Sequence, residues 1–239
     1  MTFPELLQGK TAILFDVDGT LVDTMEMLVA GLGDSFEHFS GRRPPREELL
    51  AMMGVALREQ MDYYGMDQRT EETNAERCHA TVDNYMRHRE TQRIYQETVD
   101  ALQLAQSLGY RTALVTSRNH RELAELFHDF PVLQQVDSAI SSSDVVHPKP
   151  APDSALLACD RLGVLPEEAV MLGDSKFDMG CAQSAGVLAL AVTYGAGDPN
   201  DLAPFAPAWT FRSPAEVLRA FQELTPLCEP RKLANQTHP

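Results

Sequence analysis

The sequence predicts an α/β fold, a parallel sheet flanked by helices and interrupted near its start by a helical insert. Short apolar runs bounded by turn residues recur along the chain, and helical patterns lie between several of them. One long stretch shows helical periodicity with no convincing strand. Strands alternating with helices imply a parallel sheet, and a purely helical interval implies an insertion into it.

In chain order the strand-like runs are Lys10 to Phe15, Arg111 to Val115, Val136 to Ile140, Glu168 to Leu172, Val187 to Val192 and Trp209 to Phe211. The helical patterns between and after them are Val99 to Leu108, His120 to Phe127, Pro152 to Leu162, Met179 to Ala185 and Pro214 to Leu224. The insert contributes Met25 to Phe39, Arg46 to Met53, Leu57 to Tyr64 and Asp67 to Arg89. Gly41-Arg42-Arg43-Pro44-Pro45 punctuates it as a loop, and Gly54 and Gly65 mark further breaks. This divides the chain into a core of residues 1–23 and 94–226, an insert of residues 24–93, and a polar tail over 227–239 that reads as disordered.

At 239 residues and 44 % hydrophobic content, the chain is long and apolar enough to bury one large core or two small ones. Its net charge of -15 argues against nucleic acid or an anionic membrane as partner, since both require a basic footprint. It does not exclude small anions. Screening over about 8 Å lets one lysine and a bound cation dominate the field inside a cleft. The first ten residues hold no long apolar stretch, and nothing approaches a membrane span, so a cytoplasmic location is expected. Cys78, Cys159, Cys181 and Cys228 are scattered without metal-ligand spacing, which suits reduced thiols.

The first run, Ala12-Ile13-Leu14-Phe15, stops abruptly on Asp16-Val17-Asp18-Gly19-Thr20. Side chains two apart in a strand share a face, so Asp16 and Asp18 point the same way. Gly19 lets the backbone turn sharply, and Thr20 offers a hydroxyl where the chain leaves the sheet. An Asp-Gly turn that merely ends a strand would look the same. Other strand ends carry complementary groups: Thr116 and Ser117 after the second core strand, Lys149 between prolines, and Asp174 with Asp178 after Met171-Leu172-Gly173. Each has a bland alternative. Thr116 or Ser117 and Asp174 are also good helix caps, and Lys149 reads equally as a surface cation.

These stretches in this order, Asp16-Val17-Asp18-Gly19-Thr20, Thr116, Lys149 within KPAPD, and GDSKFD followed by MGCAQSAG, resemble the haloacid dehalogenase superfamily, in particular its phosphatase branch. The resemblance spans residues 10 to 225. It implies a Rossmann-like parallel sheet core with an inserted helical cap domain, and a phosphatase acting on a small phosphorylated metabolite such as phosphoglycolate. By the same resemblance, Asp16 attacks phosphorus, Asp18 handles the proton, and Thr116 and Lys149 hold the phosphoryl oxygens. Mg2+ would be bound by Asp16, the Asp18 carbonyl, Asp174 and Asp178. Gly19, Thr20 and Ser117 would line the phosphate pocket. Gly54-Val55-Ala56-Leu57-Arg58 looks like the family's specificity loop, with Arg58 toward an anionic substrate group; Arg118, His120, Arg42 and Arg43 are weaker candidates for that task. A sugar-phosphate mutase of the β-phosphoglucomutase type shares every core motif, and a silent metal-binding interaction protein is the alternative outside catalysis. A monomer or homodimer is expected.

Overall fold

The computed structural model describes residues 1–51, 71–195, 197 and 199–227. Among these, six strands form one sheet: β1 (Ala12–Phe15), β4 (Arg111–Val115), β5 (Ser138–Ile140), β6 (Ala169–Gly173), β7 (Leu188–Val192) and β8 (Trp209–Phe211). Two others, β2 (Val22–Asp23) and β3 (Arg93–Ile94), make a separate antiparallel ribbon with Val22 opposite Ile94. The sheet order is β5-β4-β1-β6-β7-β8, and every neighbouring pair is parallel.

The alternation of β1 builds both faces. Ile13 and Phe15 enter one apolar cluster with Val99, Leu102, Val217 and Phe221 from the 96–107 and 214–222 helices. Ala12 and Leu14 enter the other with Ala155, Ala158, Cys181 and Ala182 from the 153–162 and 176–185 helices. Both faces are covered, which is why the strands read as continuous apolar runs. The order turns at β1, with β4 and β5 on one side and β6 to β8 on the other. In open α/β sheets, ligands bind beyond the strand ends at such a reversal.

Between β2 and β3 the chain leaves the sheet. The 25–40 helix packs on the 71–87 helix around Met27, Val29, Leu32, Phe36, Leu49 and Tyr85. Inside this pair the Asn84 side chain donates to Ser35 Oγ at 2.8 Å, and Ser35 Oγ donates to the Gly31 carbonyl at 2.8 Å. The expected patterns over Met25 to Phe39 and Arg46 to Met53 correspond to helices Met25–Ser40 and Arg46–Ala51. The pattern at Leu57 to Tyr64, and Cys228 with most of the tail, lie outside the described residues. A helix at Phe3–Leu6, which the sequence reading did not single out, seats Phe3 against Trp209, Phe211 and Phe221.

Candidate active site

The sheet carries the motif residues to one edge. Asp16 follows β1, and its N–H donates to the Leu172 carbonyl on β6 at 2.9 Å, continuing the ladder one residue beyond the strand. Thr116 follows β4 in the same manner, with its N–H on the Ile140 carbonyl at 2.9 Å. Asp174 follows β6 directly. Gly19 has φ +79°, a value that glycine adopts without strain, and it turns the chain so that Thr20 N donates back to the Val17 carbonyl at 3.2 Å. Among the described residues, Thr20 Oγ1 is the one buried side-chain polar atom with no hydrogen-bond partner.

Helix capping settles two open readings. The 176–185 helix is capped by Ser175, whose hydroxyl accepts from Asp178 N while the Asp178 carboxylate accepts from Ser175 N. Asp174 therefore precedes the cap and is not the cap. The 120–129 helix is capped by Asn119 with Glu122 in the reciprocal role, so neither Thr116 nor Ser117 is used there. Thr116 instead accepts from Arg118 N at 3.1 Å, and Ser117 is exposed beside it.

Asp16, Asp174 and Asp178 are all buried and each offers an oxygen within 4.8 Å of the others. Lys149 enters from the loop before the 153–162 helix. Its ammonium donates to Asp16 Oδ1 at 2.7 Å, Asp178 Oδ1 at 2.6 Å and the Val115 carbonyl at 3.1 Å, which uses all three of its donors. Burial works most strongly against this ammonium, but the two carboxylates outweigh it and hold the Lys149 pKa well above its ordinary value. For Asp16 the balance goes the other way: burial, then Asp178, raise its pKa well above the carboxylate range, with Lys149 opposing. Three acids against one ammonium leave the group short of positive charge. All-oxygen donors gathered this way suit a hard divalent cation.

Asp18 turns to other partners. Its carboxylate accepts from Arg118 Nε at 3.0 Å and Arg118 Nη2 at 2.8 Å. Burial opposes its charge, yet Arg118 and a Thr24 hydroxyl hold its pKa below the usual value. The sequence offers Arg118 only as a weaker candidate for an anionic substrate group, and it does not single out Thr24 or Gln92. The signal for Arg118 is its place two residues past Thr116; for Gln92 the sequence holds none. His120 lies near Asp144 at 3.3 Å, Arg43 contacts Asp34 and Glu37, and Arg42 is 3.6 Å from Glu48. Arg58 and the loop around it lie outside the described residues.

The loop after β7 closes over the acids. A Cβ at Gly195 would run into Asp174 Oδ2 and the Gly19 carbonyl, so this position sits hard against both motif turns. The neighbouring Tyr194 hydroxyl donates to the Thr20 carbonyl at 3.0 Å.

Comparison with known proteins agrees with this geometry. The family model described as haloacid dehalogenase-like hydrolase matches residues 13–192. The chain is 29 % identical over 213 residues to pyrophosphatase PpaX of Bacillus velezensis, covering 87 % of this chain and 94 % of that protein. It is 27 % identical over 224 residues to a phosphoglycolate phosphatase of Neisseria meningitidis, covering 90 % and 95 %. A haloacid dehalogenase-like family hydrolase from Streptococcus pneumoniae superimposes with a TM-score of 0.76 at 24 % identity, covering 90 % of this chain and 100 % of that one. With the family match running from β1 through β7, and the acids it carries gathered at one sheet edge, this chain belongs to the haloacid dehalogenase-like hydrolases.

Proposed function

We propose that the chain is a magnesium-dependent phosphatase that hydrolyses a small phosphomonoester through an aspartyl phosphate, with residues 24–93 acting as a cap on a core of residues 1–23 and 94–226. The observation that carries this reading is the Asp16 carboxylate, buried at a strand end, fixed by Lys149 at 2.7 Å and grouped with Asp174 and Asp178.

In the first step Asp18, ionised beside Arg118 in the free site, takes the proton that the phosphate ester brings in as its monoanion; an Asp16 carboxylate oxygen then bonds to phosphorus, the bond from phosphorus to the ester oxygen breaks, and Asp18 gives that oxygen the proton. In the second, water attacks the phosphorus, Asp18 takes the water proton, and phosphate leaves with Asp16 restored. Lys149 and Thr116, with Ser117 and the backbone at Gly19 and Thr20, would face the phosphoryl oxygens. The orphaned Thr20 hydroxyl is a polar atom left for a ligand to satisfy. Asp16, Asp174, Asp178 and the Asp18 carbonyl would hold Mg2+, which when bound offsets the charge of the acids and the phosphate. Both Asp178 oxygens are already engaged, one by Lys149 and one by Ser175, which favours a contact through water for that residue.

The names of the relatives point to compact, multiply charged substrates. Phosphoglycolate is the first candidate and pyrophosphate the second. The test is phosphate release from both, from hexose phosphates and from p-nitrophenyl phosphate, with magnesium and with excess chelator. Magnesium-dependent release that Asp16→Asn abolishes is expected. Full activity in chelator removes the metal from the reading, and near-normal turnover by Asp16→Asn removes the covalent step. Conversion of β-glucose 1-phosphate to glucose 6-phosphate with little free phosphate would make the enzyme a mutase instead.

A further inference from the structure

Arg118 is a buried cation whose side chain is 5 % exposed, and its guanidinium hydrogen-bonds Asp18 and Gln92, to one side of the Asp16, Asp174 and Asp178 group. Its guanidinium grips Asp18 side-on, with Nε at 3.0 Å and Nη2 at 2.8 Å. The same Nη2 donates to Gln92 Oε1 at 2.7 Å. Gln92 is 2 % exposed, and its amide is oriented in turn, because Nε2 donates to the Arg89 carbonyl at 3.1 Å. The Arg118 backbone is pinned as well: its N–H donates to Thr116 Oγ1 at 3.1 Å, and its carbonyl accepts from Ser142 N at 2.9 Å and Ser142 Oγ at 3.2 Å.

We propose that Arg118 is a positioning residue for Asp18, its planar fork setting the plane and direction of that carboxylate and resting on Gln92 at the end of the insert. The inference rests on the reading of Asp18 as the group that protonates the leaving oxygen. A lysine would neutralise Asp18 equally well. Only a guanidinium contacts both carboxylate oxygens at once and removes the freedom of the carboxylate to rotate. Gln92 prevents the fork itself from swinging, so each group in the series is oriented by the next. Proton transfer is sensitive to such placement, since a displacement of about 1 Å can cost about 100-fold.

The test compares kcat/KM for an alkyl phosphate, whose leaving oxygen must be protonated, with kcat/KM for 2,4-dinitrophenyl phosphate, whose leaving group departs unaided. Asp18→Asn calibrates it, with a loss confined largely to the alkyl phosphate. Equal losses on both substrates there would overturn the acid role of Asp18 and this inference with it. Given the selective loss, Arg118→Lys is expected to lower kcat/KM about 10- to 100-fold on the alkyl phosphate and less than about 3-fold on the dinitrophenyl ester. Gln92→Leu should show the same selectivity at smaller size. Equal losses on both substrates in Arg118→Lys make Arg118 a structural or substrate-binding residue and sink the proposal. If Arg118→Lys does not fold, Gln92→Leu decides alone by the same criterion.

Discussion

Burial is the strongest influence on Asp16, and Asp178 adds to it, so the surroundings as a whole disfavour the negative charge despite Lys149. A neutral amide relieves that repulsion. Asp16→Asn is therefore expected to melt no lower than the parent protein in divalent-free buffer, while turnover falls by more than about 10³-fold, as when other enzymes lose their nucleophile. Thermal melts beside phosphate release check both halves. Cys159 and Cys181 give a prediction in pH. Burial pushes each thiol up to about 11 from an ordinary 9.0, so the folded chain keeps protons that the unfolded chain releases. Stability then falls as pH rises from 9.0 to about 11, by up to about 1.4 kcal/mol per pH unit for each thiol. Replacing both by alanine should flatten the decline of the urea midpoint over that range. At this scale the sequence was most readable where a residue directly follows a strand: Asp16, Thr116 and Asp174 each extend an apolar run. The partner of Asp18 was not readable. Arg118 is 100 residues away, and its neighbours in sequence do not reveal that it is buried.

Among elements, all six strands of the main sheet were legible: burial on both faces writes an unbroken apolar run into central strands such as β1, while the partly exposed edge strands β5 and β8 show as short runs bounded by turn residues. Their ends were less so: β1 starts at Ala12 rather than Lys10, and β5 at Ser138 rather than Val136. The two-residue strands of the ribbon and the four-residue helix at Phe3–Leu6 are too short to show any period. Nor does the sequence distinguish two glycines in the 25–40 helix. A Cβ at Gly31 would lie 2.6 Å from the backbone nitrogen of Tyr85 on the facing helix, whereas at Gly33 its nearest neighbours would be atoms at the end of the Arg43 side chain, from 2.8 Å. Backbone cannot yield as a guanidinium can. Gly31→Ala is expected to cost about 1–3 kcal/mol by overpacking, and Gly33→Ala to be neutral or to gain up to about 1 kcal/mol from helix propensity. Urea unfolding of the two variants, followed by far-UV circular dichroism, makes the comparison.

For the whole molecule, a net charge of -15 repels the anionic substrates proposed here until they come within reach of the site. Raising ionic strength from about 0.01 to about 0.15 M shortens the screening length from about 30 to about 8 Å. kcat/KM for phosphoglycolate should then rise at fixed free magnesium, and a steady fall would mean that a local positive field governs approach instead. Among the ion pairs between residues 24–93 and the rest of the described chain, Arg121 to Asp83 at 2.8 Å is exposed on both sides and adds little under either condition. The register of the sheet also bears on the order in which the protein is made. Ala12 pairs with Arg111 on one side and with Ala169 on the other, so the strand that leads into Asp16 leaves the ribosome long before either neighbour exists. At about 5–20 residues per second, β1 waits on the order of 10–30 s for β6, with four apolar residues and no sheet to join. The ribbon shortens that search. Once Val22 pairs with Ile94, the chain between them closes into a side loop, and the path from β1 to β4 contracts to the short segments on either side of it.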